Sequence, residues 1–181
     1  MQRCKWCNLA NEKYVEYHDK EWCVPNFTDD YLLEMLILES FQAGLSWECV
    51  LNKRENFQIA YDNFSLSKIC SYDDQKIAEL LANKGLIRNK LKIVASINNA
   101  KIFREIQAEY QTFYNYLCTF TEGQIFYEIG LTSSPLSDNI SQDLKKRGMK
   151  FVGTTIIYSY LQAIGIIYSH DKECFKYQGA S

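Results

Sequence analysis

Asp29-Asp30-Tyr31-Leu32-Leu33-Glu34-Met35-Leu36-Ile37-Leu38-Glu39-Ser40-Phe41-Gln42-Ala43-Gly44-Leu45-Ser46-Trp47, residues 29–47, is the stretch on which the fold turns. Leu32, Met35, Leu36 and Glu39 recur at spacings of three and four, which predicts a helix. Thr28, just after Pro25, is placed to cap it, and Asp29 and Asp30 fall at the positive end of its macrodipole. Gly44 should end it, with a tight connection into a second helical stretch from Glu48 to Phe57. One residue breaks the apolar pattern. Glu39 shares its stripe with Leu32, Met35 and Leu36, whereas Glu34 shares a stripe with Asp30 and is expected to face away. A carboxylate on an apolar stripe is costly unless it is paired or points into a functional pocket. The ordinary alternative is a helix-end acid that reaches water.

Working outward, the pattern stays helical. Ser71, three residues before Asp74, has the spacing of a capping box, and the helix it would start passes Ile77, Leu80 and Leu81 and stops at Asn83-Lys84-Gly85. A long helix is predicted from about Asn89 to Tyr110, with Ile93, Ile97, Ala100 and Ile106 on one side. The aromatic-rich stretch Thr112 to Phe120 should pack inside. Between Thr121 and Asn139 the period weakens around Gly123, Gly130 and Pro135, so loop should dominate. Ser137 is placed to cap a helix ending at Arg147-Gly148, and the last helix should run from about Val152 to Ile164 and stop at Gly165. Strand-like alternation is nowhere sustained, so the class is all-α.

The chain has 181 residues, 47% of them hydrophobic, with 8 Gly and 2 Pro. That composition excludes disorder and collagen-like repeats, and the length suffices for one core without disulfide staples. The seven cysteines form no regular framework and Met1 opens no leader-like segment, which together predict a reducing cytoplasm. Phe151 to Ser169 is uncharged, but Thr154, Thr155, Ser159 and Gln162 interrupt it, so it reads as a buried helix and no membrane span is expected. The net charge of −2 conceals an asymmetry. Residues 1–50 carry nine acids and four bases, and the remainder carries thirteen acids and sixteen bases. Bases gather at Lys84, Arg88, Lys90 and Lys92 and at Lys145, Lys146, Arg147 and Lys150, patches that suit phosphates because screening lets the near field decide. Solvated helix ends would account for the same clusters.

Three further features exceed what a core needs. Cys4 and His18 lie near one end of the chain and His170 and Cys174 near the other, and a Cys2His2 set suits tetrahedral Zn²⁺. His170 and Cys174 are four apart, so on a helical turn both would project from one face. Cys7 competes with Cys4 for that role, and spacing does not choose between them. Trp6, Tyr14, Tyr17, Trp22 and Trp47 crowd the first 47 residues, the setting that a planar, electron-poor ring beside one acid requires. Asn83-Lys84-Gly85-Leu86-Ile87-Arg88-Asn89-Lys90 joins two helices through a glycine-containing turn, where backbone N–H groups, Arg88 and Lys90 could meet a phosphate. That pattern reads as a helix-hairpin-helix clamp on a DNA backbone.

These pieces together resemble the bacterial 3-methyladenine DNA glycosylase I family. The resemblance rests on Cys4-Lys5-Trp6, Tyr17-His18-Asp19-Lys20-Glu21-Trp22, Leu38 through Trp47, Lys53-Arg54-Glu55-Asn56, and Leu144 through Thr155. It covers almost the whole chain in the same motif order. It implies an all-α helix-hairpin-helix DNA glycosylase fold, with the N- and C-termini joined by one structural zinc ion on Cys4, His18, His170 and Cys174. It implies hydrolysis of the N-glycosidic bond of 3-methyladenine in double-stranded alkylated DNA after base flipping. Glu39 would be the acid on the damaged base, with Tyr17 and Trp47 against that base and Trp6, Tyr14 and Trp22 around the pocket. Gln42 and Leu45 fall where the family's loop fills the gap left by the extruded nucleotide. Gly85, Arg88, Asn89, Lys90, Lys145, Lys146 and Lys150 would contact DNA. A single domain over 1–181 with the hairpin element around 73–108, acting as a monomer, is expected. Three departures stand out: Cys23 replaces a glycine before Val24-Pro25, Ser40-Phe41 replaces a smaller or more polar pair, and the hairpin lacks a second glycine. Ser40-Phe41 leaves open an altered base specificity, and a non-catalytic, zinc-stabilised DNA-binding module is the rival reading.

Overall fold

Helix α2, Asp29–Gln42, sits at the centre of the molecule, and its surroundings explain its composition. Leu32, Leu33 and every residue from Met35 to Phe41 are buried. So many buried positions mean that α2 is covered on nearly all sides, and the single stripe expected from the sequence is too narrow a description. A computed structural model describes residues 1–178 of the chain. In order, the other helices are α1 (Glu12–Lys20), α3 (Trp47–Leu51), α4 (Arg54–Ala60), α5 (Leu66–Cys70), α6 (Asp74–Ala82), α7 (Lys90–Tyr110), α8 (Phe113–Thr121), α9 (Pro135–Lys146) and α10 (Thr154–Ala163). Helix α2 packs on α3, α7, α8 and α10, while α9 covers the outer side of α10. Among the described residues no helix is long and apolar enough to cross a membrane.

The starts of helices depart from the sequence reading in instructive ways. Thr28 occupies the cap position of α2, but its hydroxyl donates to Asn26 Oδ1 at 3.0 Å and leaves the helix uncapped by its side chain. Asp29 is drawn into the tertiary structure, accepting from Gln107 Nε2 at 2.7 Å and from the Phe113 N–H at 3.0 Å. Asp73, not Ser71, caps α6 by accepting from the Lys76 N–H, and the Ser71 hydroxyl turns back to the Lys68 carbonyl. Ser134 takes the cap position of α9 with Pro135 first in the helix, and its N–H donates to Ser137 Oγ at 2.9 Å, so that helix begins two residues before the serine expected to cap it.

The single helix expected from Glu48 to Phe57 is two, α3 and α4, broken at Asn52-Lys53. The break carries Arg54 into the interior, where its guanidinium donates to Glu34 Oε1 at 2.8 Å and to Glu21 Oε2 at 2.7 Å. Glu34 therefore does not face open water, because its side chain is only 13% exposed against that arginine. Removing one member of such a cluster strands the others in a low-dielectric setting. Arg54→Ala is expected to lower stability by about 2 kcal/mol, read as a fall in thermal midpoint, because two partly buried carboxylates lose their only shared cation. A change below about 0.5 kcal/mol would show the cluster to be an ordinary surface ion pair.

The stretch expected to be loop contains a short strand, β1 (Phe126–Tyr127), paired in parallel with β2 (Ile167–Tyr168) in the register Phe126 with Ile167 and Tyr127 with Tyr168. Two-residue strands leave no alternation to read. Their effect is positional: the pairing ties residues 128–131 beside Ser169 and His170. The chain after α10 turns sharply at Gly165, whose φ is +80°, and a Cβ there would lie 2.4 Å from Pro25 N. Residues 23–26 lie along this end of α10, with the Cys23 N–H donating to the Gln162 carbonyl and the Asn26 N–H to that of Ile164. Cys23 itself has φ +62°, the left-handed region that favours glycine.

Candidate active site and metal cluster

Both centres arise where the two ends of the chain meet over α2 and α10. The cavity, of about 290 Å³, is lined by Trp6, Tyr14, Tyr17, Trp22, Glu39, Gln42 and Trp47 on one side and by Gly130, Leu131, Ser159, Gln162, Ser169 and Asp171 on the other. Helix α1 presents Tyr14 and Tyr17, its neighbouring loops present Trp6 and Trp22, α2 supplies Glu39 and Gln42, and α3 opens with Trp47. The rings brace one another: Trp6 and Trp22 meet edge to face at 4.7 Å, Trp6 and Tyr14 at 5.1 Å, and Tyr17 and Trp47 at 5.3 Å between centroids. Such contacts hold large side chains in place around a space small enough for one ring system.

Within that wall three buried polar atoms lack partners. Glu39 is 2% exposed, and its Oε2 has no hydrogen-bond partner. Burial alone pushes its carboxyl well above the ordinary carboxylate range. Gln42 Oε1 and the Trp47 Nε1–H are likewise buried without partners. Tyr17 is fully enclosed, and burial, followed by the nearby Glu39, holds its hydroxyl protonated far above neutrality. Buried acceptors and donors without partners call for an explanation, since the large majority in folded proteins are satisfied. An aromatic slot with an acid in its wall explains these atoms if the occupant is planar, electron-poor and able both to donate and to accept hydrogen bonds.

The second centre lies directly behind the first. Cys4 Sγ, His18 Nε2, His170 Nδ1 and Cys174 Sγ all lie within 4.8 Å of one another and are all buried. Cys7 is excluded, because its Sγ turns to the Tyr14 carbonyl at 3.9 Å. His170 and Cys174 are brought together by an irregular turn rather than by a helix, closed by the Cys174 N–H donating to the Asp171 carbonyl. The sulfur–nitrogen separations are 3.5 Å from Cys4 to His170, 3.5 Å from Cys174 to His18 and 3.6 Å from Cys174 to His170. A tetrahedron with metal–sulfur bonds of about 2.3 Å and metal–nitrogen bonds of about 2.0–2.1 Å has sulfur–nitrogen edges of about 3.5 Å, so these four donors fit one metal ion.

Their surroundings also suit ligation. The Asp171 N–H donates to Cys4 Sγ and the Lys176 N–H to Cys174 Sγ. His18 Nδ1 is 2.8 Å from Asp19 Oδ1, which orients the ring with Nε2 toward the sulfurs. Arg3 in turn grips Asp19 through two hydrogen bonds and holds its carboxyl down to about 2. Burial pushes the Cys4 thiol up and the His170 imidazole down to about 4. Trp22 packs its ring edge on His170 at 4.7 Å, so the cluster buttresses the cavity wall.

The expected DNA-facing residues fall in three places. Gln42 lines the cavity, and Leu45, 40% exposed, stands on the loop after α2. Gly85, Arg88 and Asn89 lie between α6 and α7 and Lys90 opens α7; a Cβ on Gly85 would lie 2.9 Å from the Asn56 side chain. Arg88 and Lys90 are exposed, whereas the Asn89 side chain caps its own helix by accepting from the Lys92 N–H. Lys145, Lys146 and Lys150 are exposed. Lys150 is tied to α7 through reciprocal hydrogen bonds with Asn99, which sets its backbone alongside that helix. Arg147 differs from its basic neighbours, being spent on Asp143 and Glu109.

The far wall of the cavity was missed from the sequence. Ser159 and Gln162 are three apart on α10, polar positions inside an otherwise apolar run, and that was the available signal. Gly130, Leu131, Ser169 and Asp171 reach the cavity through the β1–β2 pairing, which leaves no local pattern.

With this geometry in place, comparison with known proteins is decisive. The family described as methyladenine glycosylase matches residues 6–177. The chain belongs to that family. It is 39% identical over 186 residues to DNA-3-methyladenine glycosylase 1 of Escherichia coli strain K12, covering 99% of this chain and 98% of the relative. A crystal structure of a 3-methyladenine DNA glycosylase I superposes with a TM-score of 0.93 at 39% identity, covering 98% of this chain and 100% of that one. The Staphylococcus aureus 3-methyladenine DNA glycosylase I, whose structure addresses 3-methyladenine recognition, gives 0.91 at 29% identity over 96% of this chain and 95% of the other. This member of the methyladenine glycosylase family therefore shares its mostly helical architecture with those enzymes across nearly its entire length.

Proposed function

We propose that this chain is a DNA repair glycosylase that everts 3-methyladenine from alkylated duplex DNA, hydrolyses its N-glycosidic bond and releases the free base, leaving an abasic site. The observation that carries the reading is the enclosed, partnerless carboxylate of Glu39 at the base of an aromatic cavity, in a member of the methyladenine glycosylase family. Alkylation at N3 gives the nucleoside a positive charge, so the base leaves as a neutral molecule and needs no strong acid from the protein. The C1′–N bond breaks with its electron pair going to the base, water adds at C1′, and a proton passes to solvent. What the protein must do is capture the everted base, and a damaged, poorly paired base costs less to unstack.

Tyr17 and Trp47 would sandwich the ring, with Trp6, Tyr14 and Trp22 fixing them. Glu39 would accept a hydrogen bond from the base edge, and the cation would supply the positive partner that the empty cavity lacks. Normal adenine brings no charge, so the cost of ionising a buried carboxyl stays unbalanced and neutral purines are rejected. As the bond breaks, positive charge moves from the base to the sugar, so a carboxylate fixed on the base acts mainly in capture. Neighbouring phosphates and protein dipoles stabilise the oxocarbenium-like sugar.

In this reading residues 1–181 act as one domain, with the hairpin element around 73–108 gripping the backbone. Gly85, Arg88, Asn89 and Lys90 sit at its turn, with Asn89 acting through the helix it caps, and Lys145, Lys146 and Lys150 add charge. Gln42 and Leu45 would enter the gap. One structural zinc ion on Cys4, His18, His170 and Cys174 would join the two ends of the chain and, when bound, supplies four-coordinate cross-linking rather than chemistry at the base. A monomer working in the reducing cytoplasm fits the unpaired cysteines.

The test is product release. Incubating the protein with alkylated duplex DNA should liberate free 3-methyladenine in excess over 3-methylguanine and 7-methylguanine. Binding without release would support the non-catalytic module, and dominant release of a methylguanine would assign a different specificity.

A further inference from the structure

Lys92 lies in the first turn of α7, yet its side chain is 7% exposed. A lysine ammonium is seldom buried without partners, and a cation in the first turn opposes its own helix's macrodipole. The partners are on α2. Nζ donates to the Phe41 carbonyl at 2.8 Å and to the Ala43 carbonyl at 2.5 Å. Phe41 is among the last four residues of α2, whose carbonyls lack intrahelical donors, and Ala43 is the residue that ends the helix. Between them, the Gln42 carbonyl accepts from the Leu45 N–H. Lys92 thus caps the negative end of α2 from another element.

The position of this contact matters more than its strength. Directly beyond Ala43 the chain turns at Gly44, with φ +78° and nothing within 4 Å of its notional Cβ, and then exposes Leu45. Two residues before Phe41 is Glu39. On the other side, Lys92 follows Asn89 and Lys90 at the hairpin, and its Nζ is 5.9 Å from the centre of the Phe151 ring, next to Lys150. One side chain therefore connects the backbone-gripping turn to the loop that carries Leu45. We propose that Lys92 is a positioning residue that fixes the Ala43–Ser46 loop relative to the hairpin, so that docking on the DNA backbone sets Leu45 at the depth needed to hold a nucleotide everted. This rests on the reading above in which Leu45 enters the duplex.

Lys92→Met removes the ammonium while keeping the stem. It is expected to slow single-turnover release of 3-methyladenine from alkylated duplex DNA by about tenfold or more, since small misplacements of a positioning element have effects of that order. Affinity for free 3-methyladenine, read by tryptophan fluorescence, should change by less than about twofold, because the cavity wall is untouched. A double-mutant cycle with Leu45→Ala separates positioning from general loosening. If Lys92 acts through the loop, Lys92→Met should cost less than about twofold in the Leu45→Ala background. Additive losses, or a fall in free-base affinity matching the fall in duplex rate, would overturn the inference. Should Lys92→Met fail to fold, Lys92→Arg keeps charge and donors, and it should show a smaller duplex-only loss that again disappears with Leu45→Ala. Unchanged duplex release by Leu45→Ala alone would instead defeat the reading of the loop. Impaired Leu45→Ala beside a normal, folded Lys92→Met would defeat only the role of Lys92.

Discussion

Glu39→Gln is expected to lower release of 3-methyladenine from duplex DNA about a hundredfold, an increase of about 2.7 kcal/mol in the barrier, and at the same time to make the protein more stable at mildly alkaline pH. The first effect follows from removing an ionisable group that has no other function in the fold: among the described residues no cation faces Glu39, and its Oε2 has no partner to lose. The amide keeps the shape but cannot offer a negative charge to a cationic base. The second effect follows from linkage. Burial raises the folded-state pKa of Glu39 above its unfolded value, so the folded chain holds that proton more tightly. Below the unfolded pKa both states are protonated and the residue is neutral in the balance. As pH rises from the unfolded pKa towards the folded pKa the native state loses stability, the loss levelling off above the folded pKa, and glutamine has no such loss. The gain should therefore be absent in acid and grow with pH across that window, reaching about 1–3 kcal/mol, or roughly 3–10 °C in thermal midpoint.

The same residue sets a pH dependence for capture. Productive binding needs the carboxylate, so base capture by the native protein should improve as pH rises through the Glu39 pKa, and Glu39→Gln should flatten that limb. A variant with unchanged release, or one whose pH profile retains the limb, would remove Glu39 from its role. Opposed effects on activity and stability are expected wherever a site keeps a buried, unpartnered ionisable group for its ligand.

What the sequence carried, and what it did not, divides along physical lines. Helices with a periodic apolar face were legible to within a residue or two, as α7 and α10 illustrate, and Gly165 stopped its helix as expected. Glu39 was legible because an acid on an apolar stripe is an anomaly in a local pattern. Caps were misread at Ser71 because a nearby Asp73 takes the N–H group, and at Ser137 because Pro135 already opens the helix and leaves Ser137 inside its first turn. Glu34 was misread because the interior cation that satisfies it, Arg54, arrives from another helix. The far wall of the cavity and the β1–β2 pair depend wholly on tertiary placement. Lys92 looked like one more member of a basic surface cluster, and only the end of α2 lying over it shows otherwise.

Loss of the metal cluster is the other large expected effect, and its size comes from chain topology. Cys4 and His170 are 166 residues apart, so an ion bound between them closes a loop of nearly the whole chain. A covalent link across so long a loop stabilises a fold by on the order of 4–5 kcal/mol through the unfolded state, and coordination by four buried donors acts in the same way. Cys174→Ser is expected to abolish stoichiometric zinc, measured by elemental analysis, and to lower the thermal midpoint by about 8–16 °C for a domain of this size. Activity should decline with it, although no ligand touches the base, because His170 supports Trp22 and the turn at 170–174 carries Asp171 at the cavity's edge. Adding a chelator to the native protein should reproduce the shift, while leaving the thermal midpoint of Cys174→Ser where it was. A native protein purified without zinc, yet as stable as its zinc-loaded form, would show that the four residues pack as ordinary core, and the junction of the two chain ends would then rest on β1–β2 pairing and on the contacts of residues 23–26 with α10.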